Sequence, residues 1–144
     1  MPESPSLRSD CPFNYMTEIL GDKWSLLIIR DMILAGKSTY GEFAASEEGI
    51  STNILASRLR HLEDVGLISR SLDPTNHSKY VYGPTERSVD LVPMLVDIML
   101  WSAKYRPIPE DKKDLVAQAL RDREKLITDI QEMARARVSL HPGL

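Results

Sequence analysis

The chain carries a single cysteine, Cys11, in 144 residues. No intramolecular disulfide can form, and a reducing compartment is the expected setting. Histidines are also scarce: His61, His77 and His141 are scattered, without the Cys/His spacing of a metal site. Neither a phosphate-cradling Gly-rich loop nor a Gly-x-Ser-x-Gly elbow occurs. No catalytic constellation, metal or cofactor is therefore expected. Apolar runs are short: "WSLLII" and "LVPMLVDIMLW" fall below the roughly 20 residues that span a bilayer, and the second is interrupted by Pro93 and Asp97. The opening "MPESPSLRSDCP" has no apolar core of the kind a signal peptide needs. A cytoplasmic protein without a membrane partner is the expectation. An excess of positive charge is missing too, the formal net charge being -3, which excludes bulk electrostatic coating of nucleic acid. Residues 51–85, with Arg58, Arg60, Arg70 and Lys79 against Glu63, Asp64 and Asp73, are the least acidic segment relative to their neighbours. That bias is too small to name a partner.

What is present is enough to fold. Hydrophobic residues make up 42% and charged residues 27%, the balance of a globular protein, and the length suits one domain with an appended element. A first helix is expected from Asp10, with Pro12 in its first turn and Gly21 ending it in a left-handed conformation. A second, capped by Asp22 and running to Gly36, is apolar over most of its circumference and should be the buried centre. "KSTYGEFAAS" reads as a short helix with Tyr40 and Phe43 inward. A tight "EEG" turn leads to Ser51, an N-cap for a helix that Gly66 should stop near Val65. "LISRSL" and "KYVYG" read as two strands of a hairpin with "DPTNHS" as its polar tip. A helix over 85–105 follows, with Pro93 marking a kink or its regular start, and Trp24 and Trp101 are assigned to core packing. After the linker "RPIPED", one long helix over 110–138 is expected to bury its stripe against a partner.

The segment "GISTNILASRLRHLEDVGLI", residues 49–68, sharpens the reading. At 100° per residue, Ser51, Leu55, Leu59 and Leu62 form an apolar seam. Asn53, Ser57, Arg60 and Asp64 fall opposite, so the outward face of the first two turns is Thr52, Asn53, Ala56, Ser57 and Arg60. A face made only for solubility more often carries Glu and Lys pairs. Small residues instead permit close approach, Asn can pair bidentately with adenine, and Arg can pair bidentately with guanine. Short helix, tight turn, such a helix, then a hairpin is the order of a winged helix-turn-helix. The expected fold class is thus mainly α (α+β), with a two-stranded wing and additional C-terminal helices for dimerisation.

The co-linear pieces Cys11-Pro12, Gly21 with Lys23-Trp24, Arg30-Asp31, Gly41-Glu42, the run Leu-x-x-Arg-Leu-x-x-Leu-Glu-x-x-Gly-Leu from Leu55 to Leu67, "YVYGPTE" and "LVPMLVDIMLW" resemble the HxlR-type winged helix-turn-helix regulators. The match covers residues 11–105. It departs at Pro84-Thr85, where Leu-Thr is usual, and at Ser88, which replaces a common glycine. The resemblance implies a transcription regulator that binds double-stranded operator DNA as a homodimer through its first helix and the helix around 91–101, and that is nucleoid-associated when bound. Residues 1–10 would be a flexible N-terminus, 11–105 the DNA-binding domain with its dimerisation helices, and 106–144 a C-terminal extension. Candidate DNA contacts are Ser51, Thr52, Asn53, Ser57 and Arg60 on the reading helix, His77 and Lys79 on the wing, and Thr39 and Tyr40 at the preceding helix start. Arg58 can reach a phosphate or pair with an acidic neighbour. Cys11 stands where some members sense oxidants or electrophiles; the alternative is a small residue packed at the dimer interface. An oxidant or small molecule is the expected kind of effector. The rival reading from another class is a winged-helix protein-interaction module without DNA binding.

Overall fold

A computed structural model of the chain describes residues 6–138; the remainder of the expected flexible N-terminus and of the C-terminal extension, His141 included, lies outside it. Helices α1 (Pro12–Leu20), α2 (Ser25–Ala35), α3 (Tyr40–Ala44) and α4 (Thr52–Asp64) precede a hairpin of β1 (Ile68–Asp73) and β2 (Asn76–Pro84). Helices α5 (Glu86–Val89), α6 (Val92–Ala103), α7 (Lys113–Arg121) and α8 (Arg123–Val138) complete the order, with a 3-10 turn, Glu110–Lys112, before α7. The winged helix-turn-helix expected from the sequence is the fold observed.

Helix α2 is the centre. Ser25, Ile28, Ile29, Asp31, Met32 and Ile33 are all buried, as its nearly continuous apolarity requires. Asp22 accepts from the N–H groups of Trp24 and Ser25, both at 2.9 Å, the cap read from the sequence, and Gly36 closes the other end at φ 69°. Gly21 differs from expectation. Its φ is -77°, and it is needed because a Cβ there would stand 2.1 Å from the Thr17 carbonyl oxygen. The first helix also starts at Pro12 with Cys11 as N-cap and no side-chain cap from Asp10.

Two sequence expectations are corrected beyond the hairpin. The segment 85–105 is two helices. Thr85 and Ser88 form a reciprocal capping box at the start of α5, with Ser88 fully buried: the Ser88 hydroxyl accepts from the Thr85 amide and the Thr85 hydroxyl from the Ser88 amide, so Ser88, where the resemblance expects glycine, is part of the helix start. Pro93 then lies in the first turn of α6, where a missing N–H costs nothing. The segment 110–138 is likewise two helices, separated at Asp122, whose extended backbone and carboxylate, accepting from Lys125 N–H at 3.1 Å, begin α8. Most of its stripe is covered by the chain itself: Leu126 and Ile130, with Ile127 and Ala134, join the core cluster of the described residues, while Met133 is 71% exposed.

Polar side chains fix α8 in place. Arg123 grips Asp97 of α6 with two 2.8 Å bonds, and Gln131 donates to the Val89 carbonyl at 3.2 Å. Arg137 donates to the carbonyls of Met32 and Ile33 in the last turn of α2, where the helix dipole favours a cation. Burial pushes its pKa down, yet no carboxylate bonds to it among the described residues, so the carbonyls carry the compensation. Arg137→Ala should cost about 2 kcal/mol, the range for hydrogen bonds from a charged group. Urea unfolding of the full chain measures it, and an unchanged midpoint would refute the cap.

Candidate nucleic-acid interface

Helix α4 separates a buried face from an exposed one. Leu55, Leu59 and Leu62 are buried, while Thr52, Asn53, Ala56, Ser57 and Arg60 are exposed, as the angular reading requires. Ser51 caps the helix by accepting from Ile54 N–H at 3.3 Å. Asn53 and Arg60 have no hydrogen-bond or ion-pair partner among the described residues. An amide and a guanidinium thus stand free on a face of small neighbours.

The flanks of α4 are committed to the protein. Arg58 lies 3.6 Å from Asp22 and donates to the Ser57 hydroxyl at 3.2 Å, the internal pairing the sequence left open. His61 Nε2 is 2.7 Å from the Ile19 carbonyl oxygen, so that nitrogen carries the proton. Tyr40 is not turned inward as expected: it is partly exposed, and its hydroxyl donates to the Thr52 carbonyl at 2.9 Å. Phe43 is buried, edge-on to Tyr82 at 6.2 Å.

The start of α3 is already occupied by an anion of the chain. Glu42 accepts from the N–H groups of Ser38 and Thr39 at 3.0 and 3.1 Å, while Thr39 caps Glu42 N–H in return. The Ser38 amide first, then that of Thr39, holds the Glu42 carboxyl below its ordinary pKa. The Ser38 carbonyl receives Tyr82 N–H at 2.7 Å, so the same loop joins α3 to the base of the wing.

The wing is longer than read from the sequence. Its ladder pairs Ile68 with Pro84 through to Leu72 with Tyr80, then jumps to Asp73 with Asn76, leaving 77–79 as a bulge on β2. His77 and Lys79 are therefore exposed on an excursion rather than in the ladder. Asp73 and Asn76 order the tip by accepting from Thr75 and Ser78. Below the bulge, Arg70 stacks over Tyr80, its guanidinium carbon 4.1 Å from the ring centre, and its Nε lies 3.3 Å from Glu63 of α4. Neither Arg70 nor Tyr80 is among the sequence-derived site residues, although strand alternation puts both on one face.

The turn before α4 is held by ions. Arg30 makes a two-pronged bond to Glu48 at 2.8 and 2.9 Å and also pairs with Asp31, which is 6% exposed and receives Lys37 at 3.2 Å. The Arg30 guanidinium draws the Glu48 carboxyl from 4.5 down to about 2. The folded state therefore releases this proton more readily than the unfolded chain does, and the stabilisation is complete above pH 4.5 and lost as pH falls toward 2. The stability advantage of the natural chain over Glu48→Gln should be flat above pH 4.5 and vanish near pH 2, measured by denaturant unfolding across pH. An advantage unchanged down to that limit would contradict the assignment. Arg30→Ala, which strips Asp31 of its nearest cation, should cost about 3 kcal/mol.

Comparison with known proteins agrees with this geometry. The HxlR-like helix-turn-helix family matches residues 19–110. The chain is 40% identical to the uncharacterized HTH-type transcriptional regulator Rv3095 of Mycobacterium tuberculosis over 65% of its own length and 58% of the relative's. It is 28% identical to YdeP of Bacillus subtilis, also an HTH-type transcriptional regulator, over 81% of its own length and 87% of the relative's. The chain thus spans about three fifths of the length of the first curated relatives it matches. Among solved structures, PA1607 is 35% identical with a TM-score of 0.63, covering 72% of this chain and 70% of that one. The redox regulator HypR in its oxidized form is 26% identical with a TM-score of 0.60, and the alignment covers 68% of this chain and all of HypR. With its helix-turn-helix, its wing and a family match over most of its length, the chain belongs to the HxlR-like helix-turn-helix family.

Proposed function

We propose that the chain is a sequence-specific DNA-binding transcription regulator that works as a homodimer on an inverted-repeat operator. The observation that carries this reading is the free, exposed Asn53–Arg60 face of α4, whose opposite side is anchored in the core. In it, α4 enters the major groove, Asn53, Ser57 and Arg60 meet base edges, and Thr52 and the Ser51 cap approach the backbone at the helix start. His77 and Lys79 on the bulge meet phosphates. Thr39 and Tyr40 act at second hand, since the Thr39 hydroxyl caps α3 and the Tyr40 hydroxyl holds Thr52. Arg58, paired to Asp22, sets the helix rather than contacting DNA.

The dimer reading rests on apolar side chains left in water. Phe13 on α1 is 84% exposed, Trp101 on α6 is 65% exposed and Tyr105 just beyond is 69% exposed. Trp101 is therefore not the core residue expected from the sequence, while Trp24 packs against the core as expected. Large exposed aromatics of this kind mark contact surfaces. A two-fold dimer would present its reading helices to half-sites about 34 Å apart, one helical turn, or a multiple of that. Trp101→Glu should convert the dimer to monomers in sedimentation velocity and weaken operator binding; a variant that stays dimeric removes α6 from the interface.

Cys11, exposed at the start of α1, is the group through which an oxidant would act. Two such thiols, one per subunit, would lose two electrons and two protons to the oxidant as an intersubunit disulfide forms, or one would pair with a small thiol in the same way. Cys11→Ser should then abolish oxidant-dependent release from DNA, and unchanged release in that variant eliminates the sensor.

Binding sites selected from a random duplex pool, titrated across a salt series, test the central reading. Asn53→Ala and Arg60→Ala should each lose about 1–3 kcal/mol of discrimination at one base position. Lys79→Ala should weaken all sequences alike and reduce the salt slope by about one. No selected sequence and no salt dependence would favour the protein-interaction reading instead.

A further inference from the structure

We propose that Arg70 is the positioning residue of the wing, fixing its angle to the reading helix through the chain of contacts Glu63–Arg70–Tyr80. Arg70 stands opposite Tyr82 in the ladder, and Tyr80 follows two residues along the same face of β2. One guanidinium therefore touches three elements: the last turn of α4 through Glu63 at 3.3 Å, its own strand β1, and β2 through the face of Tyr80 at 4.1 Å. An exposed ion pair alone holds weakly. Stacked on an aromatic face, the guanidinium has its plane fixed, so less freedom remains to be lost in pairing with Glu63.

The brace matters because of what lies beyond it. The regular ladder ends with Leu72 and Tyr80, and the side-chain bonds of the tip run within it, from Thr75 to Asp73 and from Ser78 to Asn76. No hydrogen bond or ion pair joins residues 73–79 to a helix among the described residues. The tip is a cantilever whose direction is inherited from its base. At about 3.4 Å per residue, the three strand steps from Arg70 to Asp73, where β1 ends, span roughly 10 Å. A tilt of about 20° at the base would displace the strand end by about 3 Å, more than a hydrogen bond to a phosphate tolerates.

The consequence for binding rests on the DNA-contact reading above; the brace itself does not, and two measurements keep them apart. In the full chain carrying Cys11→Ser, diluted into an excess of unlabelled chain so that a pair holds one labelled subunit, spin labels at Ser57→Cys and Thr75→Cys report the distance from reading helix to wing tip by electron double resonance. A single narrow distance is expected, retained in Tyr80→Phe, which keeps the ring, and broadened in Arg70→Ala and in Glu63→Gln. An unchanged width in both broadening variants overturns the proposal. On selected duplex, Arg70→Ala should weaken binding roughly fivefold and should erase the effect of Lys79→Ala, because a misdirected wing no longer delivers that lysine. If Lys79→Ala weakens binding by the same factor with and without Arg70, the brace does not position the wing and the proposal falls. If no duplex binds the reference chain yet Arg70→Ala broadens the distances, the brace stands and the regulator reading falls.

Discussion

Helix α2 is the most buried helix of the domain, and burial takes backbone groups near its ends, and the carboxylate of Asp31 above all, partly or wholly out of water. Most of the arrangement around it answers that constraint. Asp22 meets the amides at the N-terminal end, Arg137 meets the carbonyls at the other, and Lys37 and Arg30 meet the buried carboxylate of Asp31. Each of these groups belongs also to something else. Asp22 holds Arg58 of α4, Arg30 holds Glu48 in the turn before α4, and Arg137 ends the last helix. Satisfying one helix thereby sets the position of α4 at two points and draws α8 onto the core.

Helix α4 is fixed from its inner side and flanks. Three leucines, the Arg58–Asp22 pair, the His61 bond to Ile19 and the Tyr40 bond to Thr52 all hold it without drawing on Asn53, Ser57 or Arg60. A face so free can change its side chains at little cost in stability, since substitutions away from packed or paired groups are usually small in effect. The residues that hold the helix in place and those it leaves exposed are different members of the same thirteen-residue helix.

Periodicity made the helices legible, and it made the two faces of α4 legible residue by residue. Capping chemistry did as well for Asp22, Ser51, Gly36 and Gly66, whose roles are local. It missed locally at Asp10, which does not cap α1, and at Gly21, which is right-handed, and sequence patterns failed more widely where a side chain's partner lies far along the chain. The break at Asp122 is a local signal overlooked within an unbroken apolar pattern, but the burial of the α8 stripe depends on a complementary face assembled from α2, α5, α6 and β2, which no window of sequence contains. Trp101 failed for the converse reason: an apolar face of a helix states that something covers it, not that the same chain does. Arg70 is not legible in the same way because its contacts need Glu63 and Tyr80 at once, one on a helix and one on the opposite strand.

The bulge at residues 77–79 separates the length of the wing from its pairing. Residues 68–72 and 80–84 keep a constant register, and the surplus is taken up entirely outside that register. Insertions or deletions at the tip would therefore leave every inward-facing side chain of the hairpin where it stands, and closing a slightly longer loop adds little entropy cost. Within such a scaffold the tip can change in length and charge while the base stays constant, so the reach of the wing is separable from the folding of the domain.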